Sequence, residues 1–111
     1  MLVNENSNKS LDINIFFAKS LLEKSAGMVF FKNPKALFLK TRFGLHTFFL
    51  RFPIDVVILD KEGKTVKFKE NLSPNRILLW NPVFENVLEL PSGTANKLKI
   101  KLGHMLRFNL S

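Results

Sequence analysis

Gly44 to Asp60 reads GLHTFFLRFPIDVVILD, and the fold turns on how this stretch is read. Its second half, Ile54 to Asp60, is apolar on both faces of a pleat from Val56 to Leu59. That predicts a central strand buried on both sides. Its first half, Leu45 to Phe52, is dense in aromatic and aliphatic residues and predicts another strand, interrupted by Pro53. Proline cannot donate to a ladder, so it belongs at a strand start, an edge or a bulge. His46, Thr47, Arg51 and Asp55 are set into this apolar background. Period two puts His46 out of phase with Arg51 and Asp55 along a strand, and a bulge near Pro53 would bring them back together.

Toward the C-terminus, Lys61-Glu62-Gly63 is a short loop, and Lys64 to Glu70 returns with Val66 and Phe68 inward, which predicts a β-hairpin. Ser73-Pro74-Asn75 marks a turn, and Arg76 to Trp80 and Asn86 to Leu90 are two further strands around Asn81-Pro82. Pro91-Ser92-Gly93-Thr94 predicts a helix start with Ser92 or Thr94 as N-cap, continuing over Ala95 to Lys99. Gly103 makes the last turn and His104 to Asn109 the terminal strand.

Toward the N-terminus, Asn33-Pro34 turns into a strand at Ala36 to Leu39, and Met28 to Phe31 reads as a buried strand or an apolar bend. Ala18 to Ser25 has the composition of a short helix, with Gly27 placed to cap it. Asp12 to Phe17 alternates as a first strand. Residues 1–10, MLVNENSNKS, are polar and predict a weakly held tail, leaving 11–111 as a single β-rich domain. The fold class expected is mainly β (α+β), a small β-barrel or rolled mixed sheet with one or two short helices. Twelve Phe beside one Trp and no Tyr suit such a core, since Phe brings no polar group that must be satisfied.

The length of 111 residues, with 46% hydrophobic and 23% charged, fits one globular domain. There is no cysteine, which excludes disulfides, thiolate nucleophiles and cysteine-based metal centres. No apolar run approaches the ~18 residues of a membrane span, and the opening residues lack the apolar core of a signal peptide. A cytoplasmic location is the expectation. The net charge of +8 divides as eight basic and five acidic groups in residues 1–60, and nine and four in 61–111. Much of it alternates with apolar residues, as in Lys67-Phe68-Lys69 and Lys97-Leu98-Lys99-Ile100-Lys101, the pattern of a solvated strand face.

Polar groups in the apolar stretch need partners, because a buried unpaired charge costs several kcal/mol. Arg51 with Asp55 is the natural ion pair, pinning the strand entry; the rival reading is a ligand-facing site. His46 is read either as a satisfied structural residue or as a general base oriented by Asp55 or Glu89. Glu89, between two leucines, faces solvent or pairs with a cation such as Arg51, and the helix start after Pro91 offers amide donors to an anion. Metal binding is not expected, because His46 and His104 lie in separate elements without paired spacing, and no cofactor is indicated. Nucleic-acid binding rests on charge alone, since Lys64 to Glu70 does not place two aromatics on one outward face.

Several of these pieces, in this order and spacing, resemble a known family. Ala26-Gly27-Met28, His46-Thr47 followed by Arg51-Phe52-Pro53-Ile54-Asp55-Val56-Val57, Leu59-Asp60 with Gly63, and Leu88-Glu89-Leu90-Pro91-Ser92-Gly93-Thr94-Ala95 are similar to the family catalogued as domain of unknown function 192. The resemblance covers nearly the whole chain from about Asp12. It implies a compact β-rich, barrel-like fold with a short helix, and it brings no activity with it. It also implies Met at Leu50, a volume-conserving difference, and a Gly-Asp turn where this chain has Gly103-His104. Some relatives carry a cysteine just before the His-Thr pair; here there is none.

The function expected is a non-enzymatic binding module for a small polar ligand or peptide, with His46, Thr47, Arg51, Asp55 and Glu89 as the ligand-binding set. The alternatives are a hydrolase-like enzyme using His46 with Asp55 or Glu89, and weak charge-driven nucleic-acid binding.

Overall fold

The computed structural model describes residues 1–18, 32–42 and 44–110. The expected helix over Ala18–Ser25, its Gly27 cap and the Met28–Phe31 segment fall on residues 19–31 apart from Ala18, outside the described part.

Ten strands and one short helix are described: β1 (Leu2–Asn4), β2 (Lys9–Leu11), β3 (Ile15–Phe17), β4 (Ala36–Lys40), β5 (Gly44–His46), β6 (Ile54–Leu59), β7 (Thr65–Leu72), β8 (Ile77–Leu79), β9 (Asn86–Pro91), α1 (Thr94–Lys97) and β10 (Leu106–Phe108). A five-stranded sheet in the order β3-β4-β9-β6-β7 forms the middle of the molecule. Its β3–β4 pair is parallel, and its other pairs are antiparallel. A three-stranded sheet, β10-β1-β2, and a two-stranded ribbon, β5-β8, complete the fold. The protein is therefore mainly β with a mixed sheet, as expected. The sheets stay open, so of the two expected forms the rolled mixed sheet stands and the closed barrel does not.

β6 is buried along its whole length, as its apolar run requires. Its alternate residues feed two cores. Val57 and Leu59 join Phe38, Leu88 and Leu90 on one face, together with Leu2, Leu98 and Leu106 from β1, the end of α1 and β10. Ile54, Val56 and Ile58 join Leu37, Leu39 and Val87 on the other face, beneath Leu45 and Leu78 of the ribbon. A bulge does lie opposite Asp55, but on the partner strand β7 and not on the Pro53 strand where it was expected: β6 pairs Ile54 with Leu72 and then Val56 with Lys69, so Glu70 and Asn71 together oppose Asp55, and His46 is not brought into phase with it. A second irregularity between Ile58 and Leu59 puts Val66 against one core and Phe68 against the other, where both had been expected on a single inward face.

Two other expectations are corrected. Leu45 to Phe52 is not one strand: the chain leaves β5 after His46 and turns at Phe48 and Phe49, the latter at φ 67°. Residues 1–10 are not a loose tail: Leu2, fully buried, belongs to β1, the inner strand between β10 and β2. The cause lies in residues of that segment itself. Leu2 supplies an apolar plug, and Asn4, also fully buried, donates from Nδ2 to the carbonyl of Leu98 at 2.9 Å. The Oδ1 of Asn4 accepts from the backbone of Asn6 and Ser7, closing the turn between β1 and β2.

Candidate functional site

Asp55 projects from β6 on the face of Val57, and it is fully buried. Its carboxylate accepts three backbone N–H groups: Asn71 at 2.8 Å, Gly93 at 3.1 Å and Ala95 at 2.9 Å. The first is the N–H that the bulge turns away from the ladder, at a residue with φ 52°. The other two are orphan donors at the start of α1, whose N-cap is Gly93 and which has no side-chain cap of its own. Neither Ser92 nor Thr94 caps the helix. The Oγ1 of Thr94 donates to the Pro91 carbonyl, and Ser92 bonds to Asn71. The anion foreseen at this helix start is thus a residue of the chain itself.

The Arg51–Asp55 ion pair is not formed. The ion pairs among the described residues are Arg42–Glu85 and Arg107–Glu5, and Arg51 is exposed. The physical reason is local. The bulge and the Pro91–Gly93 corner aim three N–H donors at one carboxylate, which leaves the guanidinium free to stay hydrated.

Thr47 is fully buried and ties two loops together. Its Oγ1 donates to the Ser73 carbonyl at 2.7 Å and accepts from the Arg76 N–H at 2.8 Å. Its backbone carbonyl accepts from the Asn75 N–H at 2.9 Å, and the Oδ1 of Asn75 accepts in turn from the Phe49 N–H. His46 lies on the ribbon beside this knot and is exposed. Its Nδ1 accepts from the Phe48 N–H at 3.2 Å, and its ring stacks on Phe48 with centroids 5.0 Å apart.

Glu89 lies on the opposite face of the sheet from Asp55. It pairs across with Leu37 and Val56, on the side of Val87, and it is buried. No hydrogen bond or ion pair to it is found among the described residues, so the expected solvent-facing or Arg51-paired glutamate is not what the fold builds. Removal from water raises its carboxyl from 4.5 to about 7.

The five expected residues therefore do not converge. Thr47 and His46 adjoin, Arg51 follows on the same loop, and Asp55 and Glu89 are buried on two sides of one sheet. A hydrolase built on His46 with Asp55 or Glu89 has no orienting carboxylate hydrogen-bonded to the imidazole. Among the described residues there is no cluster of three or more His, Asp or Glu that could hold a metal, and no helix long and apolar enough to cross a membrane.

Sequence reasoning missed Asn4 and its bond to His104, Nδ2 to Nδ1 at 3.0 Å. His104 thus puts a hydrogen-bond acceptor at the position where the resemblance leads one to expect aspartate. Also missed was a row of exposed apolar side chains on the ribbon. Gly44 and His46 of β5 pair with Leu79 and Ile77 of β8, so these four share the outer face, with Leu45 and Leu78 directed into the core. Ile77, Leu79 and Phe49 are 61%, 64% and 79% exposed. A Cβ at Gly44 would lie 2.5 Å from the Leu78 carbonyl oxygen and 2.7 Å from the Leu79 side chain, so the glycine lets the β8 backbone come close and that leucine lie across the ribbon. The available signal was the pairing register: Arg76 to Trp80 is apolar at Ile77, Leu78 and Leu79, one residue too many for a single inward face.

The fold and this site define a small mixed-sheet domain whose polar motif residues mostly brace turns and whose β5–β8 ribbon exposes Ile77 and Leu79 on its outer face. Over residues 3–108 the chain matches, and belongs to, the family described as uncharacterized ACR, domain of unknown function 192. It is 30% identical over 114 residues to a UPF0127 protein of Pyrococcus horikoshii, covering 97% of this chain and 98% of the relative. It is also 30% identical over 110 residues to a UPF0127 protein of Pyrococcus abyssi, covering 93% and 92%. In architecture it is similar to a protein of unknown function from Novosphingobium aromaticivorans, with a TM-score of 0.82, 17% identity, and 96% of this chain and 82% of that one covered. A protein from Sinorhizobium meliloti, provisionally described as a transcription regulator, also superposes with a TM-score of 0.82, at 19% identity and covering 96% and 88%. At these identities the likeness is one of fold.

Proposed function

We propose that the protein is a non-catalytic binding module that takes an extended peptide on the outer face of the β5–β8 ribbon. Phe49 carries this reading. It holds a left-handed backbone conformation that costs a bulky side chain about 1–2 kcal/mol, yet 79% of it faces solvent. Folding gains little from such a residue. The Thr47–Asn75 knot fixes its backbone next to the turn that leads into β8, whose Ile77 and Leu79 are exposed as well, so an extended peptide on the ribbon would meet these side chains together. Arg51, two residues after Phe49, and Arg76, next to Ile77 in the sequence, are exposed, so the matching peptide carries apolar side chains beside acidic ones.

Peptides selected by display against the folded protein test the reading. Phe49→Ser and Ile77→Ser should each weaken the selected peptides tenfold or more, while unfolding shifts by no more than about 0.5 kcal/mol, as for exposed sites generally. Selection that yields no peptide, or peptides indifferent to both changes, overturns it. A second reading uses the same face: two outward aromatics beside two arginines also suit stacked single-stranded nucleic acid. Oligonucleotide affinity that falls steeply with salt and is lost in Phe49→Ser would favour that reading instead.

A further inference from the structure

The alternation Lys97-Leu98-Lys99-Ile100-Lys101 falls not on a strand but on the end of α1 and the loop that follows it. Leu98 and Ile100 are buried in the core that holds Leu2 and Leu106, and the three lysines that alternate with them are exposed. Lys99 holds a left-handed backbone, φ 54°. It is the residue just past the end of the helix in a Schellman cap: its N–H donates to the Asn96 carbonyl at 3.1 Å, and the Ile100 N–H to the Ala95 carbonyl at 3.0 Å. Glycine takes this conformation without steric cost and is the usual residue at this position. The other positive-φ residues among those described are glycines, asparagines and Phe49. A lysine here works against folding, and backbone strain of this kind collects where a side chain serves function.

Leu102, next along the loop, is 65% exposed. The β1–β2 turn lies against the same segment, because Asn4 and Ser7 both donate to the Leu98 carbonyl. Lys9, exposed and opposite Asn4 in the β1–β2 ladder, therefore stands on the flank of the loop. Acidic groups do not balance these four lysines. From Leu90 to the C-terminus the sequence has no Asp or Glu, and Glu5 of the β1–β2 turn is paired with Arg107 at 2.9 Å. We infer that this loop docks on an anionic lipid surface, with Leu102 entering the headgroup layer and the lysines meeting lipid phosphates. The apolar side chain amid the lysines favours lipid over nucleic acid, since a leucine offers bases no ring to stack on. This surface is independent of the ribbon.

The test is flotation of the full chain with vesicles of phosphatidylcholine alone and of an equal mixture with phosphatidylglycerol. The mixed vesicles should bind at least about tenfold more tightly, since each lysine near an anionic surface contributes roughly a fivefold gain. Added salt should weaken that binding. Lys99→Gly should weaken it about fivefold and leave the thermal midpoint unchanged or higher, because glycine relieves the left-handed backbone. Leu102→Ser, at an exposed position, should also weaken it without unfolding the chain. Lys69→Gln removes the same charge from β7 on the face of the other core, and it should bind as the wild type does. No binding to the mixed vesicles, equal binding to both kinds, or an equal loss in Lys69→Gln and Lys99→Gly overturns the proposal. Tighter binding to a single-stranded oligonucleotide than to the mixed vesicles, lost in Lys99→Gly, overturns it in favour of nucleic acid.

Discussion

Asp55 holds together three segments that are distant in the sequence: its own strand, the bulge at Asn71 and the start of α1. Hydrogen bonds to a charged acceptor contribute about 1.5–3 kcal/mol each. Asp55→Asn would point an amide NH2 at N–H donors, so at least about 3 kcal/mol of stability should be lost. That amounts to a fall of more than about 10 °C in midpoint for a domain of this size, and a fall of under 2–3 °C would show the carboxylate to be dispensable. Glu89 behaves oppositely. Its folded value near 7 lies above the ordinary 4.5. Below 4.5 both folded and unfolded chains hold the proton, and stability is greatest with respect to this group. Above that, the unfolded chain ionises first, so stability falls by about 3 kcal/mol as pH rises toward 7 and beyond. Urea unfolding at pH 5 and pH 8 should show this loss in the wild type and a much flatter response in Glu89→Gln; an unchanged slope with pH in the variant would remove the assignment.

Turns and bulges separate what could be read in the sequence from what could not. The continuous apolar run of β6 and the alternation around it identified β6, β7, β8, β9 and β10 within a few residues, because burial on one or two faces imposes a periodicity on the residues themselves. His46, Thr47 and Asp55 stood out for a sound reason, as polar groups in apolar surroundings. Their roles stayed hidden, since a carboxylate's partners were backbone N–H groups sixteen to forty positions away, which leave no mark on residue type. The turn glycines offer a test at this scale. Gly63 and Gly93 both have φ above 90°, but a Cβ on Gly63 would lie 2.7 Å from the Leu106 carbonyl, whereas one on Gly93 meets nothing within 4 Å. Gly93→Ala should cost only the left-handed backbone term, about 1–2 kcal/mol. Gly63→Ala should cost clearly more, because β10 hydrogen-bonds to that turn through Leu106 and must shift. Equal losses in thermal unfolding would contradict this account of the Gly63 contact.

Over the whole molecule, the central sheet separates two cores with different covers. One is closed by the β10-β1-β2 sheet and the end of α1, the other by the ribbon that presents Phe49. Leu2 plugs the first, so Leu2→Ala should cost about 2–5 kcal/mol, a loss that a loosely held tail residue would not show and that denaturant unfolding would register. The strand that carries Leu2 is completed only by the far end of the chain, with Leu2 opposite Phe108. On the ribosome, β1 is therefore made about a hundred residues before the strand that covers it. Until residue 108 has cleared the exit tunnel, Leu2 and the open edge of β1 stay unprotected, and a pairing of such long sequence separation forms slowly. Protection of β1 from proteases during synthesis thus waits on the emergence of β10.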